Sequence, residues 1–395
     1  MTEIGGQVEP GFEGVRDAFA RSFAEHGEVG AATSVYVEGR KVVDLWGGIA
    51  DRNTGAPYTE DTLQLVFSTT KGATAACANL LAQRGELDVD APVSTYWPEF
   101  KAAGKEDIPV RWLLCHKAGL PYVDATLTLE ETLEWDPVIR ALEAQAPVWE
   151  PGTAHGYHAT TYGWLVGEVV RRVSGKSLGQ FFADEIAAPL GLELWIGLPE
   201  EQRVRVAPLV TWDRPKDPDM AALMDQFMGP DTMLGKALGA PSHVFTLEDG
   251  VWNRPELWSA EIPAANAITN ARSLARFYAA LTGTVEGGPA ARILTPDQAA
   301  RASERQTEGP DQVLLGLETT FGLGFFTASA MARYGGPASF GHTGAGGSMG
   351  FTDPEHQIGF GYVMNRMLQG LTGDPRSAGL IQAVYDAIGV TPTYV

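Results

Sequence analysis

Basic residues are scarce in this sequence. Lys and Arg number 29 against 49 Asp and Glu, a formal charge of −20 at pH 7. Such a field repels phosphate backbones and anionic headgroups, so neither nucleic acid nor a membrane is expected as a partner. Cysteine is scarcer still. Cys77 and Cys115 are the only two, and both fall in apolar, helix-like runs where buried free thiols are expected and no oxidising compartment is demanded. No apolar run approaches the length of a membrane span. The opening residues 1–15 have neither a basic start nor an apolar stretch, so no signal peptide is expected and a cytoplasmic protein is. Repeats and low-complexity segments are missing as well.

What is present is ordinary globular material: 395 residues, 44% hydrophobic and 20% charged, enough for one large domain or two closely packed ones. Val15, Phe19 and Phe23 repeat on one helical face and stop at Gly27. Two β-rich runs follow, 31–37 and 41–46, split by a hairpin turn at Glu38-Gly39-Arg40. After Leu63–Phe67 comes a helical run from about Ser68 to Gly85, rich in small residues and suited to burial on several sides. The stretch 86–200 reads as helices joined by Pro/Gly-rich loops, clearest at Thr161–Val173 and Leu178–Pro189. Helical pattern returns at Ile268–Leu281, followed by β-rich runs at 321–327, 338–343, 348–352 and 358–365 and a last helix near 378–388. The expected fold is therefore α+β: an antiparallel sheet built from both ends of the chain (1–66 and 265–395), flanked by terminal helices, with a mainly helical domain (67–264) inserted. Within that insertion, 200–260 lacks clean periodicity yet keeps Met220, Phe227, Phe245, Trp252 and Trp258. It reads equally as a lid or pocket wall and as an irregular region packed on the core.

Three elements carry candidate chemistry. In Ser68-Thr69-Thr70-Lys71, positions i and i+3 share a helix face, which brings a hydroxyl and an amine within reach of one another. A serine hydroxyl needs a nearby base, and a lysine can serve when burial lowers its pKa. S-x-x-K alone is weak, since a chain this long holds about one by chance, and by itself it reads as an N-cap beside a solvated lysine. Tyr157-His158-Ala159 leads from a Pro/Gly loop into an apolar helix, where a phenol can act as a second proton carrier. Gly341–Ser348 (GHTGAGGS) closes a β run. Its glycines allow close approach to a substrate, and the Ala345 N–H could join the Ser68 N–H in holding an oxyanion. His155 and His158 could pair on a metal, but no third ligand cluster accompanies them, so no metal and no cofactor is expected.

In this order, Ser68-x-x-Lys71, Tyr157 and His342-Thr343-Gly344 resemble the three signatures of serine β-lactamases and penicillin-binding proteins. The flanking segments VFSTTKG (66–72), LLCHKAGLP (113–121), EPGTAHGYH (150–158) and GHTGAGGSMGFTDPE (341–355) are similar to the family's esterase branch, the family VIII carboxylesterases. The resemblance implies a β-lactamase/transpeptidase-like fold and a Ser68 acyl-enzyme, with Lys71 and Tyr157 as general base and acid in an order left open, and His342, Thr343, Gly344 and His158 around the substrate. Two departures matter. Ala159 stands where class C β-lactamases carry asparagine, and His342 where lysine is usual. A mostly neutral histidine binds a substrate carboxylate poorly, so small uncharged esters are favoured over β-lactams and cell-wall peptides.

Rival readings remain open at this stage. β-Lactamase, DD-peptidase, amidase and acyltransferase chemistry would all keep Ser68, and a penicillin-binding sensor module would acylate and stall. Gly346–Gly350 and Gly175–Gly179 each match G-x-S-x-G, the nucleophile elbow of α/β-hydrolases. Ser177 follows a helix instead of a strand, and Ser348 has only His356 downstream, so both serines are expected to be structural. Oligomeric state is not legible.

Overall fold

The computed structural model describes residues 2–212, 214–247, 250–286, 292–370 and 373–395. Among the described residues eleven strands form, in chain order: β1 (Ile4–Val8), β2 (Gly30–Val37), β3 (Arg40–Asp51), β4 (Ala56–Pro57), β5 (Gln64–Leu65), β6 (Leu194–Trp195), β7 (Ile268–Thr269), β8 (Phe326–Thr327), β9 (Phe340–Thr343), β10 (Met349–Asp353) and β11 (Ile358–Met364). The large sheet runs β1-β3-β2-β11-β10-β9-β8, with β4 on β3, and every pairing is antiparallel. Its strands come from the two ends of the chain, and the long stretch between is mainly helical. This is the α+β arrangement, an antiparallel sheet built from both ends of the chain, that the sequence implies.

Local chemistry explains the frame. Glu38 and Gly39 both adopt positive φ between Val37 and Arg40, which is what a two-residue hairpin with right-twisted strands requires. Alternation along β11 sorts its two faces. Gly359 and Gly361 face the helix Ala271–Thr282, and a Cβ at Gly359 would lie 2.5 Å from Ala279 Cβ, so that helix rests directly on strand backbone. Tyr362 points the other way, toward Glu28 and Arg376, where the helices Glu13–Glu25 and Pro375–Ala387 pack together. The helix Thr70–Gln83 is buried from Thr70 to Leu81, as its run of small residues suggests.

Several boundaries differ from expectation for physical reasons. β1 has no strand signature, because two of its five residues are glycines. Gly5 lies under the Trp46 ring, and Gly6 takes positive φ against the Asp44 carbonyl. The helix expected from Ile268 begins at Ala271, because Ile268–Thr269 pairs between Gln64–Leu65 and Leu194–Trp195. The run 321–327 supplies only a two-residue strand plus a bridge from Phe321 to Phe326. The 200–260 stretch forms helices at Pro218–Met228, Met233–Gly239 and Pro255–Ser259. Met220 and Phe227 are exposed, whereas Phe245, Trp252 and Trp258 are buried in the core. Cys77 and Cys115 are buried free thiols. Among the described residues no helix is long and apolar enough to cross a membrane.

Candidate active site

Ser68 sits in a single 3-10 turn, Phe67–Thr69, that runs straight into the helix Thr70–Gln83. Phe67 holds φ +44, a left-handed conformation that costs an aromatic residue on the order of 1–3 kcal/mol and persists only when its surroundings impose it. They do so here. Its ring packs edge-on against Trp252 with centroids 5.2 Å apart, and its carbonyl accepts the Thr70 hydroxyl at 2.5 Å, which in turn accepts the Ala267 N–H at 2.9 Å. The nucleophile candidate is thus presented half-exposed on an otherwise buried element.

Lys71 is fully buried, and its Nζ has three neighbours: the Ala159 carbonyl at 2.6 Å, the Ala264 carbonyl at 3.0 Å and Ser68 Oγ at 3.1 Å. Burial pushes its amine well below the ordinary lysine value. A neutral amine has two hydrogens and one lone pair. In that form the two carbonyls can take both hydrogens, and the lone pair is then free to accept the Ser68 hydroxyl; the protonated amine instead donates to Ser68 Oγ. Tyr157 lies over the same amine, its ring centroid 4.7 Å from Nζ. Burial raises its phenol well above the ordinary value, while the Ser68 hydroxyl beside it acts in the opposite direction, so the phenol stays protonated.

The structure thus brings Ser68, Lys71 and Tyr157 together from two distant parts of the chain, and β9 completes the group. Gly344 follows β9, and a Cβ there would meet the Val66 carbonyl and Ser348 Oγ, each at 2.2 Å, so only glycine lets this turn lie against the strand that leads to Ser68. Among the described residues, neither the Ser68 nor the Ala345 N–H is taken by a protein acceptor, whereas the Gly344 N–H donates to the Ser348 carbonyl at 2.8 Å. Ser68, Tyr157, Thr343, Gly344 and Ala345 border one cavity of about 170 Å³, whose walls include Trp212, Met228, Leu238, Leu247, Leu314 and Phe326. The 200–260 stretch is therefore both pocket wall and core packing.

The other expected residues are placed differently. His158 is fully buried and does not border the cavity. Its Nδ1 donates to the Gly156 carbonyl at 2.7 Å, its Nε2 accepts the Leu120 N–H at 2.9 Å, and burial pushes it down to about 4. With both ring nitrogens occupied it braces the Tyr157 loop, which corrects the expectation of a substrate-binding role. His342 is likewise buried outside the cavity wall, with Nδ1 at 2.7 Å from the Thr343 carbonyl and its ring against Phe326. Burial holds it neutral. It packs beneath the site and offers no cation. His155 pairs with Thr319 at 2.9 Å.

Neither G-x-S-x-G serine is presented as a nucleophile. Ser348 Oγ donates to the Val66 carbonyl at 2.8 Å and meets Thr69 Oγ1 at 3.1 Å. Ser177 caps the helix Leu178–Phe182 and donates to Glu261 at 2.5 Å. Two supporting residues escape sequence reading. Asp311, fully buried, accepts the Tyr157, Val313 and Leu314 N–H groups at 3.0, 2.8 and 2.8 Å and the Thr319 hydroxyl at 3.0 Å. His116 accepts the His158 N–H at 3.0 Å, with its ring 5.0 Å from that of Tyr157. Its place in LLCHKAGLP is the one local signal that was available.

Comparison with known proteins gives the family. The Beta-lactamase family model matches residues 15–383. The esterase/beta-lactamase LipL of Mycobacterium tuberculosis is 35% identical over 381 residues, covering 93% of this chain and 84% of that protein. A family VIII carboxylesterase of known structure is 39% identical with a TM-score of 0.85, covering 98% of this chain and 100% of that one. A penicillin-binding protein homologue from Caulobacter crescentus is 38% identical with a TM-score of 0.86, at 98% and 100% coverage. The chain belongs to the beta-lactamase family and is a hydrolase of that fold.

Proposed function

We propose that this protein is a serine carboxylesterase acting on small, uncharged acyl esters. The observation that carries the reading is the environment of Lys71: a fully buried amine, its pKa lowered by burial, with Nζ 3.1 Å from Ser68 Oγ and 2.6 and 3.0 Å from the Ala159 and Ala264 carbonyls. Lys71 takes the Ser68 proton as Oγ bonds to the ester carbonyl carbon. The Ser68 and Ala345 N–H groups receive the oxyanion, a contribution for which losing one donor typically costs 10²–10³-fold in kcat. Collapse breaks the C–O bond to the alcohol, which leaves with the proton carried by Lys71, directly or by way of the Tyr157 hydroxyl. Water then gives a proton to Lys71 as it attacks the acyl carbon, the bond from that carbon to Ser68 Oγ breaks, and Lys71 returns the proton to Oγ as the acid leaves.

The pocket supports the substrate class. Its wall is mostly apolar and its volume of about 170 Å³ suits a group near the size of a benzene ring. Its charged members are Asp374, held by Arg376, and Arg333, whose guanidinium donates to the Ala330 and Val395 carbonyls. The neutral His342 adds no charge for a substrate carboxylate. The relatives named as esterase and carboxylesterase support the same reading. A fluorophosphonate followed by peptide mass spectrometry tests it: the adduct is expected on Ser68, and an adduct on Ser177 or Ser348 overturns the assignment. A short-chain p-nitrophenyl ester should be turned over much faster than a chromogenic cephalosporin. The reverse ranking would make the protein a β-lactamase.

A further inference from the structure

Behind the turn that carries Ala345 lies a buried ion cluster that the mechanism does not use. Arg376 is 1% exposed, and all five of its guanidinium hydrogens have acceptors. Nε donates to Asp374 Oδ1 at 3.0 Å. Nη1 donates to the Arg366 carbonyl at 2.9 Å and to Glu28 at 3.1 Å, and Nη2 to Asp374 Oδ2 at 2.7 Å and to the Gly346 carbonyl at 2.6 Å. Glu28 also accepts the Tyr362 hydroxyl. Residues as far apart in sequence as Glu28, Gly346 and Arg366 thus meet on one cation.

Within the turn the Gly347 N–H donates to the Gly344 carbonyl at 3.1 Å, and the Gly346 carbonyl also accepts the Leu368 N–H at 3.1 Å. Gly346 and Gly347 take φ +83 and +126, and two adjacent glycines have other conformations of similar energy. The turn lies directly on the cluster, since a Cβ at Gly347 would come within 2.2 Å of Asp374 Oδ2 and 2.5 Å of Arg376 Nη2. From this geometry we infer that Arg376 is a positioning residue: by gripping the Gly346 carbonyl at 2.6 Å, alongside the Leu368 N–H, it selects the one turn conformation that aims the Ala345 N–H at the cavity beside Ser68. A lysine cannot replace it, because three donors on one nitrogen cannot span these acceptors. The inference rests on the proposed acyl-transfer reading.

Arg376→Lys is the test, read by kcat and KM for p-nitrophenyl acetate and by the Ki of an uncharged alkyl boronic acid, whose adduct on Ser68 is tetrahedral. A fall in kcat of about 10–100-fold with KM within about threefold is expected, with boronate affinity weakened by a similar factor. Glu28→Gln is the control. It loosens the same cluster without touching Gly346, so it should lower Tm and leave kcat in place. If Arg376→Lys does not fold, the double variant Glu28→Gln/Arg376→Gln, which removes one charge of each sign, carries the same measurement. A kcat within twofold of wild type in either Arg376 variant overturns the inference, as does an equal loss of kcat in Glu28→Gln at equal loss of Tm. Activity that survives Ser68→Ala would instead sink the esterase mechanism, so the two failures are told apart.

Discussion

Replacing Gly344 by alanine probes the oxyanion geometry without removing any reacting group. The added Cβ would stand 2.2 Å from the Val66 carbonyl oxygen and from Ser348 Oγ, and 3.0 Å from Thr69 Oγ1. Ser348 can rotate away, but the Val66 carbonyl cannot, because it belongs to the backbone that delivers Ser68. Moving that contact from 2.2 Å out to 3.0 Å, a distance that real Cβ atoms do not undercut, shifts the turn by about 0.8 Å. The Ala345 N–H belongs to the next residue and moves with it. A misplacement near 1 Å typically lowers the rate by about 10²-fold, so Gly344→Ala should reduce kcat by 10–100-fold with little change in KM. Steady-state hydrolysis of p-nitrophenyl acetate, alongside a thermal melt to confirm folding, gives the answer. A folded Gly344→Ala enzyme with kcat within twofold of wild type would refute the packing argument and the place given to Ala345.

Other outcomes follow from the same geometry. Ser68→Ala should abolish turnover with the fold intact, whereas Ser177→Ala should retain it; near-wild-type activity in Ser68→Ala defeats the mechanism. Lys71 acts as a base only when unprotonated, so kcat/KM should fall toward acid pH with a midpoint well below the ordinary lysine value of about 10.4. A rate still climbing through pH 10 would contradict this. The same depressed pKa bears on stability. Below about pH 10.4 the unfolded chain binds a proton that the folded chain refuses until its own lower pKa is reached, so over that window wild-type stability declines as pH falls. Lys71→Met lacks this dependence, and its Tm relative to wild type should be higher at pH 7 than at pH 10. A difference that does not vary with pH would show that the buried amine keeps its proton.

Local pattern carried the Ser68–Lys71 pair because i,i+3 spacing on a turn is a property of adjacent residues. Strand alternation and small-residue helices likewise made the sheet and the buried helix Thr70–Gln83 readable. What stayed hidden depends on residues far apart in the chain. β1 is a strand because Trp46 covers Gly5, and nothing in the sequence IGGQV says so. His158 looks like a ligand-facing side chain beside Tyr157, yet the Leu120 N–H and Gly156 carbonyl turn it inward. Asp311 reads as an ordinary loop acid until its four hydrogen bonds to 157–319 are seen.

The residues hardest to read are those that hold the reacting groups in unfavourable states. Phe67 is kept at positive φ by Trp252 and Thr70, Lys71 is kept out of water by two carbonyls, and Arg376 is buried among carboxylates. Each is individually destabilising, and each is sustained by partners from other elements. A chain selected only for stability would relax Phe67, replace Lys71 with an apolar residue and exchange the Arg376 cluster for hydrophobic packing. Phe67 and Lys71 flank Ser68 in the same turn and helix, and Arg376 holds the Gly346 carbonyl beside Ala345. Together they are a stronger argument for catalysis at Ser68 than the S-x-x-K spacing, because chance supplies the spacing and does not supply strain, desolvation and buried charge around one cavity.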